Sequence, residues 1–142
     1  MEYGEILYEV MQLPDKQKHQ LVYALSRGFA KVMITQVKRD NCKKQLWFYL
    51  NMLSKRLGIL PNAILAHDRL RIHVNARWVI WNRLYDEGYS QNMIADVSGF
   101  KHNIIQVGMK RIMEVKTNPA YDPELATIYE LFQNALKDEN II

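Results

Sequence analysis

Four consecutive residues, Lys101-His102-Asn103-Ile104, set a cation, two hydrogen-bonding side chains and an aliphatic group side by side. That combination matches what a nucleic-acid groove offers, namely phosphate oxygens, donor and acceptor base edges and the methyl of thymine. More cations follow at Lys110, Arg111 and Lys116, and a second basic group precedes the cluster at Arg69, Arg71, His73, Arg77 and Arg83. Such groups suit phosphates, and solvated helix faces are the competing explanation for them. His102 has a plainer reading as well, as an ordinary surface histidine.

The charge distribution sharpens the point. Residues 16–116 carry 18 of the 19 Lys and Arg residues against six acids, a local balance of +12, while residues 1–15 and 117–142 each carry −4. A basic middle between acidic ends points to a polyanionic partner.

Other chemistries find little in the chain. It has neither GxxxxGK[ST] nor GxGxxG, so no nucleotide site is expected. His19, His67, His73 and His102 stand far apart with no Cys or acid at ligand spacing, so no metal and no cofactor are expected. No local motif supports a Ser-His-Asp set, and the expectation is a protein that is not an enzyme. Cys42 lies near Lys38, Arg39, Lys43 and Lys44, which would lower a thiol pKa, but a plain structural or surface cysteine is the favoured reading. Trp47, Trp78 and Trp81 could stack on single-stranded bases, although the helical spacing of the last two favours core packing.

At 142 residues the chain has room for one ordinary domain, or for a small domain with a helical appendage. A lone cysteine and the acidic first residues argue against secretion, and no apolar run is long enough to cross a bilayer. A cytoplasmic, nucleoid-associated location is expected, with no membrane partner.

The elements that must hold the candidate residues read as helices throughout. Ile6, Leu7, Val10 and Met11 predict a helix over 3–13, and Pro14 with Asp15 opens another. Leu21, Leu25, Phe29, Val32 and Met33 form one apolar face from about 16 to 38, with Gly28 bending or weakening it. Leu46, Leu50, Leu53 and Leu57 define a helix over 43–57 that stops at Gly58. Pro61 starts a short helix through Ala66. Another begins at Asn75 or nearby, with Ala76, Val79, Ile80 and Leu84 on one face, and ends at Gly88. Leu125, Ile128, Tyr129, Phe132 and Leu136 give a closing helix after Pro123.

Between these lies a helix, a turn and a helix. Ser90 is the N-cap of a short helix carrying Met93, Ile94 and Val97; Gly99 makes the turn; a second helix from about His102 to Val115 buries Ile105, Met109 and Ile112. Ala95 and Gly99, four apart, supply the small contact residue and the tolerance of positive φ that two crossing helices need. An ordinary helical hairpin within an all-α domain remains the alternative.

From about Cys42 to Leu136 the chain resembles the C-terminal DNA-binding domain of the bacterial replication initiator DnaA, of the Trp-repressor-like helical group. The resemblance rests on Leu53-Ser-Lys-Arg-Leu-Gly-Ile with Asn62-Ala-Ile-Leu and Arg69, on Asn75-Ala-Arg-Trp-Val-Ile-Trp, on Ser90 to Gly99, and on Gly99-Phe-Lys-His-Asn-Ile-Ile through Lys110-Arg-Ile. It implies that Arg77 reaches into the minor groove, that His102 and Asn103 meet major-groove bases, and that Ile104 touches a thymine methyl. The turn is one residue shorter than the family's, Lys101 stands in or beside the place of an acid, and Asn103 replaces a threonine. The family's own nine-base site is therefore not expected. Its ATPase module is absent.

The expectation is an all-α protein with two parts: residues 1–40 as a helical extension for packing or homodimerisation, and residues 41–142 as a DnaA C-terminal-like helix-turn-helix domain. Its partner would be double-stranded DNA, in transcription, replication or mobile-element maintenance. Arg69, Arg71, Arg77, Lys101, His102, Asn103, Ile104, Lys110 and Arg111 are the expected DNA contacts. A helical protein-interaction module that does not bind DNA is the alternative.

Overall fold

The computed structural model describes residues 15–140. The helix expected over 3–13 lies outside them. The protein is all-α: among the described residues there are six α-helices, one short 3₁₀ turn and no strand. The chain divides into two compact units, residues 1–38 and 39–142.

The first element, α1, spans Asp15–Leu57. Two separate helices were expected here. Nothing between Lys38 and Lys43 breaks a helix, however, and the backbone runs through Gly28 as well, since one glycine costs only about 1 kcal/mol relative to alanine. Within the first unit, Leu21, Leu25, Phe29, Val32 and Met33 are all exposed, from 38% for Leu21 to 67% for Phe29.

The second unit is built on the other half of α1. Cys42, Leu46, Leu50 and Leu53 are completely buried there, at the helical spacing that makes one stripe. The helix ends at Gly58, whose φ of +69° is the left-handed stop suited to glycine. Next come α2 (Pro61–Ile64), α3 (Arg71–Asp86), α4 (Gln91–Ser98), α5 (His102–Thr117) and α6 (Pro123–Asp138). α3 begins four residues before Asn75. It buries Ala76, Val79, Ile80 and Leu84, and packs against α5, α6, α4 and α2. Ile94 of α4, Ile105 and Ile112 of α5, and Leu125, Phe132 and Leu136 of α6 complete the core. Trp81 is fully buried, whereas Trp47 and Trp78 are half-buried against the same core.

Local chemistry sets the helix boundaries around the turn. Ser90 Oγ accepts the Met93 N–H at 3.1 Å and caps α4. Gly99 closes α4 at φ +77°, and the N–H groups of Gly99 and Phe100 both donate to the Ala95 carbonyl. Asp122 caps α6 through the Leu125 N–H at 3.2 Å, with Pro123 at the first helical position.

A candidate nucleic-acid interface on helix α5

The turn between α4 and α5 comprises Gly99, Phe100 and Lys101, and its orientation is fixed by Phe100. This ring is nearly buried, 4.1 Å from His67 in a parallel stack and 5.2 Å from Trp81 edge-on, with the Arg77 guanidinium 5.0 Å above it. Trp81 Nε1 donates to Ser98 Oγ at 3.0 Å, tying the end of α4 to α3. On its other side α5 comes close to α3 at Gly108. A Cβ there would stand 2.4 Å from Trp78 Cδ1, so only glycine allows this approach. Contacts on both flanks thus hold α5 rigidly by its inward face.

Its outward face carries the candidate residues. Lys101, His102, Asn103, Ile104 and Lys110 are all exposed, as is Arg69 in the loop before α3. No hydrogen bond or ion pair holds Lys101, His102, Asn103, Lys110 or Arg69 among the described residues. Arg111 is exposed but engaged: it donates to Tyr121 Oη at 2.9 Å and lies 3.6 Å from Glu114. Arg71 is exposed as well, and is paired with Asp122 and, at 3.6 Å, with Glu124.

Arg77 departs from expectation most clearly. An outward, groove-reaching side chain was anticipated, but it is 5% exposed and donates to the carbonyls of Ile64 at 3.0 Å, Ala66 at 2.6 Å and Asp68 at 2.9 Å. Burial pulls its guanidinium below the ordinary value, an effect the nearby Asp68 carboxylate opposes. The loop from α2 to α3 contains carbonyls with no helix to satisfy them, and the guanidinium fork fits that task.

Other members of the upstream basic group also turn inward. His73 is buried, with Nδ1 2.8 Å from Asp68 Oδ2, and this hydrogen bond is the main reason the Asp68 carboxyl sits below its ordinary value. Arg83 is half-buried beside Tyr49 Oη at 3.3 Å and Glu87 at 3.8 Å. Lys116 on α5 lies 3.3 Å from Asp86. Acids near in sequence (Asp68, Glu87) and far (Asp86) thus engage basic side chains that a linear count leaves free.

Cys42 is buried, and desolvation with help from Glu87 pushes its thiol up to about 11. The lowered value considered from its basic neighbours in sequence is overturned, because those lysines point to solvent while the sulfur does not. Among the described residues no group of three His, Cys, Asp or Glu side chains could hold a metal ion, and no helix is long and apolar enough to cross a membrane.

Besides a cleft of about 280 Å³ along Val107, Lys110, Arg111 and Glu114, two larger clefts border α5. One, of about 370 Å³, runs between Asn103, Ile104 and Val107 and the Arg69, Val74 and Trp78 side of α3. The other, of about 560 Å³, lies at Arg71, Trp78, Arg111 and Tyr121, where Asp122 and Glu124 balance the two arginines. The first is lined by Arg77 and Asp68 as well, which engage each other, but it leaves Arg69 unpaired and opens onto the tip of α5, so it suits an anionic partner better.

Gln106 and Val107 also belong to the exposed face and were not singled out from the sequence. The signal was available: they stand three and four residues after Asn103, the spacing that keeps side chains on one helix face. Comparison of the chain with protein-family models, characterised proteins and solved structures gives no match.

Proposed function

We propose that the protein binds double-stranded DNA sequence-specifically through a helix-turn-helix, with the start of α5 in the major groove, as an accessory factor in transcription, replication or mobile-element maintenance. In this reading residues 41–142 are a DnaA C-terminal-like domain. The observation that carries it is the α5 tip: Lys101, His102, Asn103 and Ile104 are exposed, unneutralised and held on a frame fixed through Phe100 and Gly108. Groove recognition needs that rigidity, since side chains can match base edges only if the helix carrying them is already oriented. Lys101, Lys110 and Arg69 would take phosphates, with Arg71 and Arg111 joining only on release from their acidic partners. Arg77 has no direct DNA role in this reading.

Titration of a labelled duplex pool at increasing salt tests the proposal. Each neutralised phosphate contributes a log-log slope of about −0.9, so three to four contacts give about −3. A flat salt response, or no binding at low salt, overturns it.

A second reading is favoured by one separate observation, the exposed apolar side chains Leu21, Leu25, Phe29, Val32 and Met33. They suit a protein partner or a second copy of this chain. A complex that survives nuclease treatment, together with no shift of pooled DNA, would support that reading over DNA binding.

A further inference from the structure

The exposed face of α5 carries more than a basic charge. Asn103, Gln106, Val107 and Lys110 follow one another at i, i+3, i+4 and i+7, so they share one stripe of the helix. All four are exposed, with Val107 at 53%, and Ile104 borders them at 39%. The two carboxamides have no hydrogen-bond partner among the described residues.

Each side-chain type has a preferred base edge. A carboxamide donates and accepts through two adjacent atoms, which matches the N6 amino group and N7 of adenine; an aliphatic group matches the C5 methyl of thymine. Guanine is matched by an arginine fork or by a lysine; the arginine on α5, Arg111, is held by Tyr121 and Glu114, and the exposed Lys101 and Lys110 are the ones assigned to phosphates above. With those lysines on the backbone, the side chains left to read base edges, Asn103, Gln106 and Val107, match A·T pairs better than G·C pairs. Lys110 lies about 10.5 Å along the helix from Asn103, at about 1.5 Å per residue, and reaches the backbone where the helix leaves the groove. Asn103 and Gln106 are separated by about 4.5 Å along the axis, close to the spacing of about 3.4 Å between stacked base pairs.

We infer that this stripe makes the protein a reader of A·T pairs, with Asn103 and Gln106 each taking one of two adjacent adenines and Val107, flanked by Ile104, packing on a thymine methyl. The inference rests on the DNA-binding reading above and specifies the sequence class that site accepts.

Selection of bound duplexes from a random pool by the full chain tests it, followed by titration of the selected site. The expected result is two adjacent A·T pairs in the core. Asn103→Ala and Gln106→Ala should each relax a different one of those positions, lowering discrimination about tenfold while circular dichroism stays that of the parent. Replacing the core thymidines with deoxyuridine, which removes only the methyl, should weaken the parent severalfold and Val107→Ala much less. If duplexes are bound with steep salt dependence but the selected core is random or G·C-rich, the A·T inference fails and the DNA-binding reading stands. If both variants keep the parent's selected sequence, the residue assignment fails in the same way. Absence of duplex binding overturns both.

Discussion

Arg77 on α3 and Lys110 on α5 look alike in sequence, each a cation on an amphipathic helix in the basic middle of the chain, yet the fold gives them opposite tasks. Arg77 is turned into the protein and bonds three carbonyls; Lys110 is exposed and bonds nothing among the described residues. The same division separates His73 and Arg83 from Lys101 and Arg69. Sequence charge measures how many cations there are. Which of them a polyanion can reach depends on the acids and carbonyls that the fold brings alongside.

Substitution should separate the two groups, and Arg77→Ala is expected to have the largest effect. It strands three carbonyls and removes a counter-charge of Asp68, so unfolding stability should fall by about 3 kcal/mol in a urea titration. A variant as stable as the parent would mean that the clamp is dispensable. Gly108→Ala comes next. The added methyl meets Trp78, and overpacking of about 1 to 3 kcal/mol outweighs the gain of about 1 kcal/mol in helix propensity, leaving a measurable loss in melting temperature.

Acid should then distinguish the inward group from the outward one. The Asp68 carboxyl is held below its ordinary 3.8, chiefly by the His73 hydrogen bond. Because the folded-state value is depressed, the stabilisation is complete above the ordinary value and disappears as pH falls through the lower one. Asp68→Asn should flatten the acid limb of a stability-against-pH curve; an unchanged limb would assign it to other carboxylates. The smallest effect on folding is expected for Lys110→Ala, within about 0.5 kcal/mol of the parent. Its mark should appear in DNA titrations, as a salt slope shallower by about one. A slope equal to the parent's would remove Lys110 from the interface.

Much of this arrangement could be read without coordinates, because it follows from local chemistry. Ser90 as a cap, Gly58 and Gly99 as left-handed stops, and the buried stripes of α3, α4, α5 and α6 depend on neighbours within a turn or two. What escaped was set by partners distant in sequence. Arg77 is satisfied by residues 9 to 13 positions earlier, Arg71 by Asp122, and Lys116 by Asp86. Cys42 follows the plainer of its two readings, since four basic neighbours mattered less than where its sulfur is buried. The continuity of α1 was missed for a different reason: apolar periodicity identifies faces, and between residues 38 and 43 the sequence is mostly polar, which left two apolar stretches to be read as two helices. Gln106 and Val107 were legible from their spacing and needed only the knowledge that their side of α5 is exposed.

The Arg77 clamp grips the main-chain oxygens of Ile64, Ala66 and Asp68, and among their side chains it engages only the Asp68 carboxylate, 3.7 Å away. Substitutions at Ala66 can therefore accumulate over generations while the loop keeps its course. A rim next to the α5 tip that can be rewritten without being reshaped would let descendants of this protein acquire new binding preferences one residue at a time.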